Sequence, residues 1–228
     1  MVNGIFDPLR IFTPATVKLK ILMKLDFVLN DKYKKWDTQL KKKCNEWIKL
    51  LQDILALNNL PILRHPLNAP YPFINKNGRF ILICFTDASE QAMCAVVYIR
   101  YESSTGEVDL GLITSKTKVT PAKKTTMPRL ELSASLLGAR LAGKVCSSIR
   151  IGDKLKGDTC FESKYIFMDS KIALGTLNKG HLSNDFNGNC AAEIRGKTEG
   201  FTFGRIASEH NIADLGSRGA TPAQVDKN

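Results

Sequence analysis

Four acidic residues stand where the sequence pattern ends or begins an element of regular structure. Two of them, Asp87 and Asp169, close the apolar runs "RFILICFTDA" and "KYIFMDS", while Glu131 and Asp214 open amphipathic segments. Carboxylates at neighbouring strand ends repel each other, and a bound cation removes that cost. The pattern therefore predicts a metal site formed by Asp87, Glu131, Asp169 and Asp214.

The chemistry of such a site follows from its ligands. Hard carboxylate oxygens suit Mg²⁺, with Mn²⁺ as an alternative ion. Two such ions about 4 Å apart can hold a phosphodiester, activate a water on one side and stabilise the leaving oxygen on the other. Each acid also has a structural explanation, as a turn residue, a helix-dipole partner or a helix cap. The joint occurrence of all four favours a nuclease site.

The elements that must position these acids follow from periodicity. Three strands, "RFILICFTDA", "AMCAVVYIRY" and "VDLGLITSKTKV", predict an antiparallel meander. A long helix, "PRLELSASLLGARLAGKVCSSI", precedes the strand "KYIFMDS", the helix "SKIALGTLNKG", a weaker helix near "CAAEIR", the strand "FTFGRIA" and a short helix after "NIAD". The crossover through the long helix predicts a fourth strand parallel to the first. We therefore predict an α/β fold, a mixed five-stranded sheet with helices on both faces.

The chain before the sheet has a different pattern. Helical spacing from Thr13 to about Leu60 predicts a small helical segment over residues 1–60. Four prolines and "NKNG" predict a linker over 61–78. The sheet domain is then expected at 79–220, with a tail at 221–228.

Composition restricts the partner and the compartment. Lysine and arginine number 33 against 22 aspartates and glutamates, a formal charge of +11, so nucleic acid is the first candidate ligand. A basic protein without such a ligand is the alternative. Six cysteines without a Cys-x-x-Cys pair indicate a reducing compartment. Because no secretion signal or run of eighteen apolar residues is present, we expect an intracellular protein, cytoplasmic or nuclear, that is neither secreted nor in a membrane.

Seven further residues near the predicted acid edge are candidates for contact with nucleic acid. One lies just after the first strand, five lie from the end of the third strand to the start of the long helix, and one precedes the last helix. They are Ser89, Lys116, Lys118, Lys123, Lys124, Arg129 and His210. A solvated basic loop and a lone surface histidine are the alternative interpretations.

Several motifs resemble one family. In order, "FTDAS", "MPRLELSASLLGARLA", "FMDS" and "SEHNIADLGSRG" resemble the ribonuclease H region of BEL/Pao retrotransposon polyproteins. The upstream "FDPLRIFTPATVKLKILMKL" and "WDTQL" resemble the segment that joins the reverse transcriptase to ribonuclease H. The resemblance covers nearly the whole chain, and this region is often labelled a Pao retrotransposon peptidase, of the A17 family.

The resemblance implies a function. Asp87, Glu131, Asp169 and Asp214 take the places of the four metal-binding acids that cleave the RNA strand of an RNA/DNA hybrid. The polymerase part of the parent polyprotein is expected to lie outside this chain, which has no Tyr-x-Asp-Asp motif. An aspartic peptidase ranks lower, since "TDAS" and "MDSK" lack the glycine of its motif.

One departure from the family leaves an alternative open. Relatives carry a tryptophan-rich strand and a proline before the last motif, whereas this chain has Phe203, Gly204 and Ala207. A catalytically inactive remnant that still binds nucleic acid is therefore the second hypothesis. The oligomeric state is not predicted.

Overall fold

The computed structural model describes residues 7, 10, 12–29, 38–55, 67, 78–149, 161–179, 185–220 and 224. The helices are α1 (Thr13–Leu29), α2 (Thr38–Leu55), α3 (Met127–Ser148), α4 (Lys171–Asn178), α5 (Phe186–Lys197) and α6 (Ala213–Arg218). The strands are β1 (Arg79–Ala88), β2 (Ala92–Glu102), β3 (Val108–Val119), β4 (Ser163–Met168) and β5 (Thr202–Arg205). None of the described helices is both long and apolar enough to cross a bilayer. The predicted linker and tail fall outside the described residues, apart from residues 67, 78 and 224.

The five strands form one mixed sheet in the order β3-β2-β1-β4-β5. Strand β2 runs antiparallel to β1 and β3, while β4 runs parallel to β1 and β5. The predicted fold class is confirmed. The register pairs Thr86 with Met168, so Asp87 and Asp169 are the next residues along each strand at the same edge of the sheet.

Helices cover both faces of the sheet, as predicted. On one face α3 lies so close to β1 that a Cβ on Gly138 would stand 2.3 Å from Thr86 Cγ2. On the other face α6 packs against β1 and β2, where Ala213 forms a core cluster with Cys94 and Val96. Because β1 is covered on both sides, its side chains alternate between two apolar layers.

Helix α1 lies against this sheet domain through β3 and α6. Val17 and Ile21 form a buried cluster with Ala92 of β2. The Ala220 N–H, just after α6, donates to the Pro14 carbonyl at 2.9 Å. The predicted domain boundary at residue 79 stays a prediction, although these contacts join α1 to the sheet.

Helix α5 is longer than the segment predicted near "CAAEIR", because its start is fixed by a cap. The Asp185 carboxylate accepts a hydrogen bond from the Gly188 N–H at 2.9 Å. Gly188 therefore lies in the first turn, where the capping side chain satisfies its N–H.

Candidate active site

Asp87 is the most buried of the four predicted acids, with 7% of its surface exposed. Its register partner is Cys94 of the α6-side cluster, and the Ser217 hydroxyl of α6 donates a hydrogen bond to its carboxylate. Burial raises the pKa of Asp87, the Ser217 hydrogen bond opposes that shift, and the charges of Asp169 and Asp214 raise it further. Three of the predicted acids therefore share one electrostatic environment.

Asp169 is half-buried and directly follows β4. The Ser208 hydroxyl, from the 3-10 turn Ser208–His210, donates to Asp169 Oδ2 at 2.9 Å. This contact connects the end of β4 to the loop that leads from β5 to α6.

Glu131 reaches the same edge from the opposite layer, because α3 covers the face of β1 that α6 does not. The Ser170 hydroxyl donates to Glu131 Oε2. Ser170 also caps α4, since its side-chain oxygen accepts from the Ala173 N–H at 3.1 Å. Ser170, the residue after Asp169, therefore joins Glu131 to the end of β4.

Asp214 lies in the first turn of α6 and forms an ion pair with Arg218, one turn later. The start of α6 is fixed by the buried Asn211, whose side-chain amide donates to the Thr86 carbonyl at 3.0 Å. The Asn211 carbonyl accepts from the Asp214 N–H at 2.9 Å. Asn211 thus ties the backbone of Asp214 to the end of β1.

The four carboxylates are chemically suited to bind a hard divalent cation. In this structure, however, their side chains face hydrogen-bond or ion-pair donors of the protein. Among the described residues, no three His, Cys, Asp or Glu side chains are arranged so that they could hold one metal ion. Each acid instead has its own protein partner, Ser217, Ser170, Ser208 or Arg218. For three or more of these carboxylates to bind one ion, their side chains would have to move closer together than they stand here.

The candidate nucleic-acid contacts have varied surroundings. Ser89 holds the turn after β1, because its hydroxyl donates to the Ser217 carbonyl at 2.8 Å and accepts from the Ala92 N–H at 3.1 Å. The Arg129 guanidinium lies 5.3 Å from the centre of the Phe186 ring. The other candidates are exposed or, for Lys116, half-buried; they are Lys116, Lys118, Lys123, Lys124 and His210. Their contact with nucleic acid stays a prediction.

Sequence reasoning missed the polar residues that hold the acids, namely Ser170, Ser208, Asn211, Ser217 and Arg218. Two of them carry a local signal. A serine directly before an amphipathic run is a helix cap, as Ser170 is, and an arginine four residues after an aspartate is a helical ion pair, as Arg218 is. The serines at 208 and 217 have no such signal, because their partners are distant in the sequence.

Comparisons with solved structures find distant similarities. The ribonuclease H1 of Halobacterium salinarum NRC-1 is 15% identical, with a TM-score of 0.35; the match covers 59% of this chain and 90% of that one. LC11-RNase H1, solved in complex with an RNA/DNA hybrid, is 15% identical, with a TM-score of 0.36; the match covers 60% of this chain and 91% of that one. A foamy viral protease-reverse transcriptase, in complex with double-stranded DNA, is 14% identical with a TM-score of 0.42, over 90% of this chain and 33% of that one.

The family comparison is more specific than these distant structural similarities. No curated protein matches the sequence. Residues 1–169 match the family described as the Pao retrotransposon-like RNaseH-like domain, a span that includes three of the four predicted acids. The chain therefore belongs to the family of Pao retrotransposon-like RNaseH-like domains.

Proposed function

We propose that this chain is a ribonuclease H, which hydrolyses the RNA strand of RNA/DNA hybrids with Mg²⁺ at the edge where β1 and β4 end. The observation that carries the proposal is the environment of Asp87. This buried carboxylate is close enough to Asp169 and Asp214 for their charges to raise its pKa. Acids that disfavour each other's ionisation in this way are typical of sites that function with a bound cation.

The residues that would hold the ions are Asp87, Glu131, Asp169 and Asp214. When bound, divalent ions supply an activated water and stabilise the leaving oxygen of the phosphodiester. The chain's own contribution is placement. Strands β1 and β4 fix the two inner aspartates in register, while Ser170 and Asn211 fix Glu131 and the start of α6. Placement of this kind accounts for much of the catalytic effect at phosphoryl centres.

The test is cleavage of a labelled RNA/DNA hybrid during a Mg²⁺ titration, with duplex DNA and duplex RNA as alternative substrates. Asp87→Asn is expected to abolish cleavage. Glu90→Gln is the matched control, because Glu90 is an exposed acid in the turn after β1, three residues from Asp87. Full activity in Asp87→Asn, or equal cleavage of all three duplexes, would contradict the proposal.

An inactive remnant that only binds nucleic acid is the second candidate. It is favoured by the ion pair between Arg218 and Asp214, which neutralises one predicted ligand, and by the lack of a three-residue metal group among the described residues. This hypothesis predicts salt-sensitive binding to the hybrid without turnover at any Mg²⁺ or Mn²⁺ concentration. Cleavage that depends on Asp87 would exclude it.

A further inference from the structure

A basic groove lies between α3 and α5, outside the acid edge. Its volume is about 530 Å³, and its lining includes Arg140 and Lys144 of α3 and Glu193 and Lys197 of α5. The two helices touch at its base, where a Cβ on Gly143 would stand 2.8 Å from the Lys197 carbonyl oxygen. The groove is therefore a shallow depression with a backbone floor and charged walls.

The positive charge of the groove is only partly compensated. Glu193 forms two hydrogen bonds with the Arg140 guanidinium, each 2.7 Å long. This contact lowers the pKa of Glu193 and binds the two helices together. Within the part of the chain that the structure describes, neither Lys144 nor Lys197 forms an ion pair. Two lysines at the groove thus remain available to a ligand.

The positive surface continues from the groove onto β3. Lys116 and Lys118 pair with Ala95 and Met93, both of which belong to the core cluster that α3 covers, so both lysines project toward the α3 side. Burial lowers the pKa of Lys116, and the neighbouring charges of Arg10, Lys144, Arg140 and Lys118 lower it further. We call the five cations Lys116, Lys118, Arg140, Lys144 and Lys197 the α3 band.

The groove end of the α3 band is separate from the hydrolytic edge, whereas Lys116 and Lys118 lie on β3 level with the end of β1. Lys144 lies thirteen residues after Glu131 on the same helix, a distance of about 20 Å at the usual helical rise. A phosphate group that contacts Lys144 therefore cannot also contact Glu131. A strand that passes the acid edge can, however, continue along α3 to reach it.

We propose that the α3 band binds the phosphate backbone of nucleic acid beyond the acid edge, along α3 toward the groove. Cations from three elements that repel one another indicate an anionic ligand, and a row of them fits a chain of regularly repeated negative charges. Both a continuing hybrid duplex and a single strand that leaves the edge carry this chemistry. The site is independent of cleavage, because it contains none of the acids.

The experiment measures binding of a fluorescent hybrid, and of the separate RNA and DNA strands, by anisotropy in EDTA between about 50 and 200 mM salt. Each lost phosphate contact reduces the slope of log affinity against log salt by about 0.9 for a duplex and about 0.7 for a single strand. Lys144→Gln/Lys197→Gln is therefore expected to lose about 1.8 from the duplex slope. Over this salt range the wild-type protein then loses about tenfold more affinity than the variant.

The control is Lys49→Gln, which removes the same charge from an exposed position on α2 and is compared with Lys144→Gln alone. An unchanged slope for Lys49→Gln beside a reduced slope for Lys144→Gln supports the proposal, and the probe that shows the loss identifies duplex or single strand. Wild-type slopes in the double variant would overturn it. Competition by polyglutamate as effective as competition by unlabelled hybrid would also overturn it, because the band would then accept any polyanion. Since EDTA prevents turnover, none of these outcomes depends on the nuclease proposal.

Discussion

The close approach of α3 to β1 at Gly138 predicts a specific sensitivity. Gly138→Ala would place a Cβ 2.3 Å from Thr86 Cγ2 and 3.2 Å from Cys84 Sγ, in a fully buried layer. Either the helix or the strand must move to accept it. Because α3 carries Glu131, a shift of the helix also moves that carboxylate relative to Ser170 and the end of β4.

The magnitude follows from two opposing effects. Alanine is favoured over glycine in a helix interior by about 1 kcal/mol, while overpacking of a core costs about 1–3 kcal/mol. Gly175→Ala in α4 provides the first effect alone, because nothing lies within 4 Å of a Cβ built there. We therefore expect Gly138→Ala to be less stable than Gly175→Ala by about 1–3 kcal/mol. That difference corresponds to about 2–4 °C in melting temperature for each kcal/mol.

Urea denaturation of the two variants and the wild-type protein measures this difference. Thr86→Ser is the relieving change, because it removes Cγ2 and keeps the hydroxyl that donates to the Phe167 carbonyl at 3.4 Å. In a double-mutant cycle Thr86→Ser should recover most of the loss in Gly138→Ala, a coupling of about 1–3 kcal/mol. Equal stabilisation by Gly138→Ala and Gly175→Ala, with no coupling to Thr86, would refute the reasoning.

Three further predictions concern the acid edge and α1. Because burial raises the pKa of Asp87, folding favours its protonated form, and wild-type stability falls as pH rises above the ordinary carboxyl range. Asp87→Asn should therefore be more stable than the wild-type protein in urea at pH 7 in EDTA, and this gain should vanish near about pH 3. An equal gain at both pH values would contradict this prediction. Arg218→Ala removes the exposed ion pair with Asp214 and should strengthen Mg²⁺ binding, measured by calorimetry, by at most about fivefold, since such a pair contributes up to about 1 kcal/mol. Weaker binding would show instead that Arg218 positions Asp214. Val17→Ala should lower the free energy of unfolding by about 2 kcal/mol in one cooperative transition, whereas a separate early transition would show that α1 unfolds independently of the sheet.

Much of the fold could be predicted because the strong patterns are local. The strand predicted from "RFILICFTDA" coincides with β1, since an unbroken apolar run bounded by turn formers has little alternative in an α/β sheet. The crossover rule then gave the parallel pairing of β1 with β4. The start of α5 was not predicted, because Asp185 fixes it through a single hydrogen bond and the helix has no strongly amphipathic pattern.

The arrangement of the acids could be predicted only in part, for a physical reason. Strand ends and helix starts indicate the edge that each acid occupies, but not the layer from which its side chain arrives. In β1 the residues from Phe80 to Phe85 are all apolar, so the pattern does not reveal which face is which, or that Asp87 faces α6 while Thr86 faces α3.

The layer assignment explains why each carboxylate has its own protein partner. Glu131 and Asp87 approach the edge from opposite sides of β1, and each is met by a serine of its own layer, Ser170 or Ser217. The stretch "SEHNIADLGSRG" supplies several of these partners, although the acids that Ser208 and Ser217 contact lie elsewhere in the sequence. Asn211 and Ser217 are buried, so each polar side chain needs a hydrogen-bond partner within the protein, and each has one at the end of β1.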